Sequence, residues 1–317
     1  MRQRWKYEVL ILGTVLVWGL NFPVIKIALG VMHPHVVNAF RFTASILALG
    51  AVYVIQARRA RMPVFAPYRT SGLSIVGLGL LAFVVYQYCY IVGMDQTSAG
   101  SAALIMSSAP LWTAVAGTRF NLERLRFVAW AGLAMTLAGT AVIIVGGHRE
   151  LALGAESLLG NLMMLAAAVF WGSYTALSRP VLRSVTPSGL AFLGLLPSLP
   201  ILYGISLPHF QGFELSDITP AIWVALLFSG TLSTGVAIVA WSVAVRHLGA
   251  SHTAAFGNLV PIVALGAGTL VLGEPISTIQ ILGGCLILAG LYLVRRTLGP
   301  TGQILVPDKT KDSGEIA

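Results

Sequence analysis

The sequence predicts an all-α membrane protein of ten transmembrane helices, arranged as two inverted five-helix repeats with both termini cytoplasmic. Three observations predict it. The first is composition: of 317 residues, 56% are hydrophobic and only 10% charged, with mean hydropathy +0.84. Soluble domains carry about 25% charged residues, and disordered chains are polar and charged, so neither class fits. The second is a series of ten apolar runs, each close to the roughly 20 residues a helix needs to cross a bilayer. The third is charge placement, since Lys and Arg gather on the cytoplasmic side of spanning helices. Of the 20 basic residues, 17 fall in segments on the side of the N-terminus.

The runs can be justified in order. The first, 8–29, follows Arg2, Arg4 and Lys6. It is too long for a signal-peptide core and lacks a small-residue cleavage site, so it is read as a retained span. It carries Trp18 and Asn21, three apart and therefore on one helix face, and Lys26 near its outer end. The second, 36–56, carries Arg41 and runs into Arg58, Arg59, Arg61 and Arg69. The third, 70–93, holds Tyr86 and Tyr90, four apart, with Asp95 just outside. The fourth, 98–118, has Met106 and Ser107 ahead of Pro110 and ends at Arg119. The fifth, 126–146, carries Gly132 and Gly139 after Glu123, Arg124 and Arg126. An outer loop with Arg149, Glu150 and Glu156 leads to the sixth, 157–178, which holds Trp171 and Tyr174 and stops at Arg179 and Arg183. The seventh, 187–207, has no counterpart of Arg41 and is followed by Glu214 and Asp217. The eighth, 219–244, contains Trp241 and precedes Arg246. The ninth, 250–272, contains His252, Asn258 and Pro261 and is followed by Glu274. The tenth, 278–295, carries Gly283 and Gly290 and ends at Arg295 and Arg296, before a polar tail at 297–317 read as disordered and cytoplasmic. An outer-membrane barrel is excluded, because its strands would be short and alternating.

The halves repeat. Val17-Trp18-Gly19 answers Phe170-Trp171-Gly172. A single offset of 151 pairs Pro110 with Pro261, Tyr90 with Trp241, Glu123 with Glu274, Gly132 with Gly283 and Gly139 with Gly290. Five spans per half force the second half to enter from the opposite side, giving repeats at 8–146 and 157–296. Many secondary transporters share this architecture, with a substrate site between the halves.

These residues also carry a resemblance. Trp18-Gly19-Leu20-Asn21-Phe22, Lys26 and Phe40-Arg41-Phe42 resemble the first-repeat signature of the EamA family, within the drug/metabolite transporter superfamily. Ala102-Ala103-Leu104 to Pro110, Glu123, and Gly132 to Gly139 resemble the rest of such a repeat. Trp171-Gly172, Ala254-Ala255, Pro261, Glu274-Pro275, Gly283 and Ala289-Gly290 match it in the second half. The second half departs where Ser173-Tyr174 replaces Leu20-Asn21. The resemblance covers about 8–296. It implies alternating access, efflux of small metabolites, and a cavity lined by helices 1, 3, 4, 6, 8 and 9.

The site candidates follow from what the bilayer penalises. Lys26 and Arg41 are the only charges within spans, and such charges are functional candidates by default. Snorkelling, or binding of helix-end carbonyls, is the competing role. Trp18, Asn21, Tyr86, Tyr90, Met106, Trp171, Tyr174, Trp241 and Asn258 are candidates to line a substrate pathway. Pro110 and Pro261 each remove a mid-helix hydrogen bond and are hinge candidates. Glycines seven apart suit close helix packing, and Glu123 suits capping of a helix N-terminus. The eleven acidic residues fall in loops, tails or helix ends, so a deep proton-carrying carboxylate is not expected. Cys89 and Cys285 are read as inert buried thiols. No phosphate loop, metal motif or paired carboxylates stand out, so neither an enzyme, a metal, a cofactor nor ATP-driven transport is expected. The expected partners are a small-molecule substrate and the lipid bilayer, with no nucleic acid; a homodimer is compatible with the sequence. The function read from the sequence is export of amino acids or related amphipathic metabolites from a cell inner membrane; the alternative is uptake or exchange of sugar- or nucleotide-type substrates, and a remote one is an intramembrane lipid-modifying enzyme, which would need a polar catalytic cluster that the sequence does not show.

Overall fold

The computed structural model describes residues 2–97, 102, 105–123, 125–147, 158–211, 213–215, 218–263, 266–267 and 278–296. The expected tail at 297–317, the outer loop around Arg149, and Glu274-Pro275 lie outside the described residues. The described chain is helical, with no strand among its residues. Its segments are α1 (Arg2–Leu29), α2 (Pro34–Arg59), α3 (Ala66–Gln96), α4 (Ala109–Arg119), α5 (Phe127–Gly147), α6 (Leu158–Val181), α7 (Pro187–Phe210), α8 (Pro220–Leu248), α9 (Ala250–Phe256) and α10 (Thr278–Arg296). By length and composition, six of these could cross a membrane: α1, α2, α3, α6, α7 and α8. Shorter apolar stretches lie at Phe127–Gly139 in α5 and Ile281–Val294 in α10.

Local chemistry sets the helix starts. Proline occupies the first helical position of α2, α7 and α8, where its missing N–H costs nothing. Thr186 Oγ1 accepts from Gly189 N at 3.1 Å, and Thr219 Oγ1 accepts from Ile222 N at 3.4 Å, which caps α7 and α8. Gly249, at φ 92°, makes the sharp turn from α8 into α9, a conformation open to glycine without a Cβ clash.

The molecule is apolar outside and carries polar groups within. Leu47, Leu73 and Phe127 are 68%, 89% and 85% exposed, whereas Arg41, Asn21, Gln87 and His252 are buried. That is the reverse of a water-soluble surface and suits a hydrocarbon surround. The largest buried apolar cluster runs through α2, α3, α6, α7 and α8 and includes Phe42, Phe83, Tyr174 and Trp241. Cys89 is buried as expected, but Cys285 is exposed, because α10 turns that face outward.

Several backbone features recur between the halves. A π-helical stretch widens α3 at Leu80–Val85, and another widens α8 at Phe228–Val236. Their last residues are 151 apart, the offset of the sequence repeat. The chain turns at Ser107 and Ser108 just before Pro110, and a 3₁₀ turn at Gly257–Leu259 comes just before Pro261. The two prolines thus follow breaks in matched helices. The glycines pack α5 against α10. A Cβ at Gly132 would sit 2.7 Å from the Gly290 carbonyl oxygen, and one at Gly139 2.7 Å from that of Gly283. The pairing runs in opposite chain directions, so the two helices are antiparallel.

One asymmetry bears on the site. A Cβ at Gly230 would lie 2.6 Å from the Arg41 carbonyl oxygen, while Gly79 presses on the backbone of Gly194. Gly194 follows Arg41 by 153 residues, the offset of Trp171 from Trp18. The same close crossing between the halves therefore occurs twice, α2 with α8 and α3 with α7, and only one of the two carries a guanidinium.

Candidate functional site

The helices enclose a central cavity with about 890 Å³ of empty space, counting its open mouth. Residues from α1, α2, α3, α6, α8 and α9 line it, together with Met106 to Thr113 around the start of α4. These are the helices implied by the resemblance, with α2 added through Arg41.

One part of the wall is aromatic. Trp18 meets Trp171 edge-on at 5.4 Å and Trp241 at 4.9 Å, and Trp171 lies 5.9 Å from Trp241. Tyr86 lies 5.1 Å from Trp171 and 5.7 Å from Tyr90, and Phe22 closes on Tyr90 at 6.3 Å. Two repeat pairs, Trp18 with Trp171 and Tyr90 with Trp241, therefore converge on one space. Their ring faces offer apolar area and a negative quadrupole to a ligand. Indole N–H groups fix two of the rings: Trp18 Nε1 donates to Ser233 O at 3.1 Å and Trp241 Nε1 to Thr175 Oγ1 at 3.2 Å.

The other part is polar. Arg41 is 2% exposed; its Nε donates to Ser229 Oγ at 2.7 Å, one terminal nitrogen to Asn38 Oδ1 at 2.8 Å, and the other to Thr234 Oγ1 at 2.9 Å. Two of these acceptors belong to the π-helical stretch of α8, and Ser45 Oγ also donates to Gly230 O there at 2.6 Å. π stretches are frequent at functional sites; this one brings the Ser229 and Thr234 hydroxyls to one buried cation. No carboxylate among the described residues pairs with Arg41; the ion pairs found there involve Glu8 and Glu123. Asn21 and Gln87 line the same cavity and are each 4% exposed, and Asn21 contacts Tyr90. Among the described residues, Asn21 Oδ1 and Gln87 Oε1 have no hydrogen-bond donor. A buried acceptor without a donor costs about 1–3 kcal/mol, so these oxygens favour a ligand that brings N–H groups.

Of the sequence candidates, Trp18, Asn21, Arg41, Tyr86, Tyr90, Met106, Trp171 and Trp241 line the cavity, and so do Pro110 and Pro261. Lys26, Tyr174 and Asn258 are not part of its wall. Lys26 Nζ donates to the carbonyls of Met94 and Thr97, the latter at 3.4 Å, and so neutralises the C-terminal end of α3. Tyr174 stands behind Trp171 at 5.4 Å and contacts Ser242. Asn258 Nδ2 turns to Thr136 Oγ1 of α5 at 2.6 Å. Gln87, Thr113, Ser233 and Thr234 join the wall without having been singled out. Polar residues interrupting an apolar run were the available signal, and Gln87 sits beside Tyr86.

Glu123 does cap a helix, but the helix is α9. Its Oε1 accepts from Ala250 N at 2.8 Å and from Arg179 at 2.9 Å, and its Oε2 accepts from Ser251 N at 3.1 Å.

Comparison with known proteins agrees with this architecture. The EamA-like transporter family matches residues 5–145 and again 158–296. The chain is 28% identical over 302 residues to a protein of Streptantibioticus cattleyicolor named as a probable terminal-alkyne amino-acid exporter, covering 93% of this chain and 96% of that one. It is 29% identical over 311 residues to a probable amino-acid metabolite efflux pump of Salmonella typhimurium, covering 92% and 98%. A crystal structure superposes with TM-score 0.72 at 20% identity, over 91% of this chain and 97% of its own, a likeness of fold. With the family matching both halves, the chain belongs to the EamA-like transporter family and is a multi-pass membrane transporter, not an enzyme.

Proposed function

We propose that this transporter exports small amphipathic metabolites bearing a carboxylate and an N–H group, amino acids or close relatives, by alternating access. One observation carries the reading: a single cavity joins an aromatic wall to the Arg41 guanidinium and to the orphan amide oxygens of Asn21 and Gln87. Arg41 would take the carboxylate, the amide oxygens would accept from the ammonium, and the Trp and Tyr faces would cover the apolar part. The names of the two relatives support the substrate class and the outward direction.

The proposed mechanism uses two inverted five-helix repeats, ten spans in all, rocking about the cavity with both termini on the cytoplasmic side of the inner membrane. The matched π stretches, the matched breaks before Pro110 and Pro261, and the antiparallel contact of α5 with α10 support this arrangement. The 17 basic residues on one face support the orientation.

Flux of a labelled amino-acid panel from proteoliposomes tests the proposal. Saturable efflux of at least one carboxylate-bearing compound, weakened in Trp18→Ala, is expected. Absence of saturable flux for every compound would overturn it.

A further inference from the structure

We propose that the cavity binds a small monovalent inorganic anion, of the chloride class, at the Arg41 guanidinium when no substrate is present, and that a substrate carboxylate loads by displacing it. The inference rests on the reading of Arg41 as the anion-binding end of the site, and not on which metabolite is moved.

Arg41 carries a charge that cannot be shed. An arginine keeps its proton throughout the physiological range, and a buried charge is costly unless it is paired. Arg41 is 2% exposed in a molecule whose outer surface is apolar. Its backbone is clamped against α8, where a Cβ at Gly230 would lie 2.6 Å from the Arg41 carbonyl oxygen. Its three acceptors, Ser229 Oγ, Asn38 Oδ1 and Thr234 Oγ1, are all neutral. They fix the guanidinium and leave its charge uncompensated.

The neighbouring groups supply no counter-charge. The titratable side chains that act on Arg41 are the phenols of Tyr90 and Tyr86, which are uncharged at physiological pH. Among the described residues, the carboxylates in ion pairs are Glu8, with Arg4 and His252, and Glu123, with Arg179. The internal repeat offers no partner either, since Gly194 stands at the position equivalent to Arg41.

The guanidinium also has donors to spare. Of its five N–H groups, the one on Nε and one on each terminal nitrogen reach the three acceptors. The second N–H on each terminal nitrogen has no acceptor among the described residues. Arg41 lines the cavity, so an anion entering it meets a full positive charge and uncommitted donors, the setting for charge-assisted hydrogen bonds. Arg41 is the one charged side chain among the described residues of the wall. A monovalent anion neutralises it, whereas a divalent one would leave an excess charge against aromatic faces.

The consequence is competition. A carboxylate exchanges one negative charge for another at Arg41, while a compound without a carboxylate enters with the inorganic anion still in place. Substrates are then selected by what they displace as well as by what they contact.

The test needs no identified metabolite. The purified transporter, in neutral detergent and chloride-free buffer, is titrated with radiolabelled chloride, and bound label is read by scintillation proximity. Binding should saturate. Acetate should displace the label, and acetamide, of the same shape without the charge, should not. In Arg41→Gln the half-saturating concentration should rise about 10-fold or more, the loss of one hydrogen bond to a charged group. Lys26→Gln, which alters a cation outside the wall, should bind as the wild type does. If Arg41→Gln does not fold, the contrast of acetate with acetamide on the wild-type protein decides by itself. Label that does not saturate, that acetamide displaces as well as acetate does, or that folded Arg41→Gln binds equally, would overturn the proposal. Chloride binding with no metabolite flux would support it and count against the export reading alone. Saturable flux of a carboxylate compound by a protein without a chloride site would overturn it and leave that reading standing.

Discussion

Arg41 offers the sharpest test of the proposed substrate chemistry. The perturbation is Arg41→Gln, which keeps a polar side chain of similar reach and removes the charge. Three hydrogen bonds are lost, to Ser229, Asn38 and Thr234. Thr234 keeps its own bond to Ser229 O at 3.0 Å, so Asn38 Oδ1 is the acceptor left most exposed to loss. One orphaned buried acceptor costs about 1–3 kcal/mol of stability. The binding effect has a different signature. Truncating one partner of a desolvated charge pair costs about 2–5 kcal/mol. The lower end, at about 1.4 kcal/mol per tenfold, is roughly a 30-fold weaker Kd for a carboxylate ligand. An amide analogue of the same ligand has no charge to lose and should weaken less than about 3-fold on the same scale. Trp18, Trp171 and Trp241 line the cavity, so quenching of intrinsic fluorescence reads binding directly. Acid and amide are titrated side by side, with thermal stability measured on the same preparations. Arg41→Lys should recover part of the acid's affinity, because it restores charge without the planar fork. Equal losses for acid and amide would refute the assignment of Arg41 to the carboxylate.

Three further outcomes are expected. Trp18→Phe keeps an aromatic ring, though a smaller one, and loses the indole bond to Ser233 O, worth about 1 kcal/mol, so the half-saturation concentration for flux should rise several-fold; no change would detach this bond from the site. Gly132→Val drives side-chain atoms into the Gly290 backbone, where overpacking costs about 1–3 kcal/mol, so the melting temperature in detergent should fall by several degrees. Gly13→Ala, with nothing within 4 Å of the new Cβ, should leave it unchanged, and equal effects would remove the glycine contact from the account. His33 stacks on His209 at 3.8 Å, and its pKa is lowered first by burial and then by His209. A base with a lowered folded pKa binds fewer protons folded than unfolded, so its contribution is present above the unfolded pKa of about 6.5 and is lost as pH falls through the folded pKa. Thermal stability should therefore drop on acidification, and less in His33→Asn; parallel curves for the two proteins would refute this.

Much of the site was legible because duplication repeats a chemical choice. Trp18 with Trp171, and Tyr90 with Trp241, stood out as matched aromatics, and all four line one cavity. The two intramembrane cations were equally visible and were not separable. Lys26 and Arg41 each sit in an apolar helix, and position along a helix does not say which neighbour a side chain faces. Helix rotation sends Lys26 to the carbonyls ending α3 and Arg41 to the cavity. Glu8 read as a helix-end carboxylate, and only the approach of α9 buries it against His252. Ser233 and Thr234 read only as polar interruptions of an apolar run, and their facing was hidden because a π stretch changes it through backbone hydrogen bonding that no residue pattern here encodes.

Composition, apolar run length and charge placement by themselves determined the membrane environment and the helical class, because hydrocarbon leaves a chain few ways to satisfy its backbone. The internal repeat and its motifs were sufficient to place the family. The tertiary structure alone decided which polar groups meet: a buried guanidinium with hydroxyl and amide partners, two amide oxygens without donors, and a carboxylate set against a histidine from the other half. These depend on helix rotation and on crossings as close as Gly230 on Arg41. Such contacts between distant residues are set by packing of the whole, which local sequence constrains only weakly.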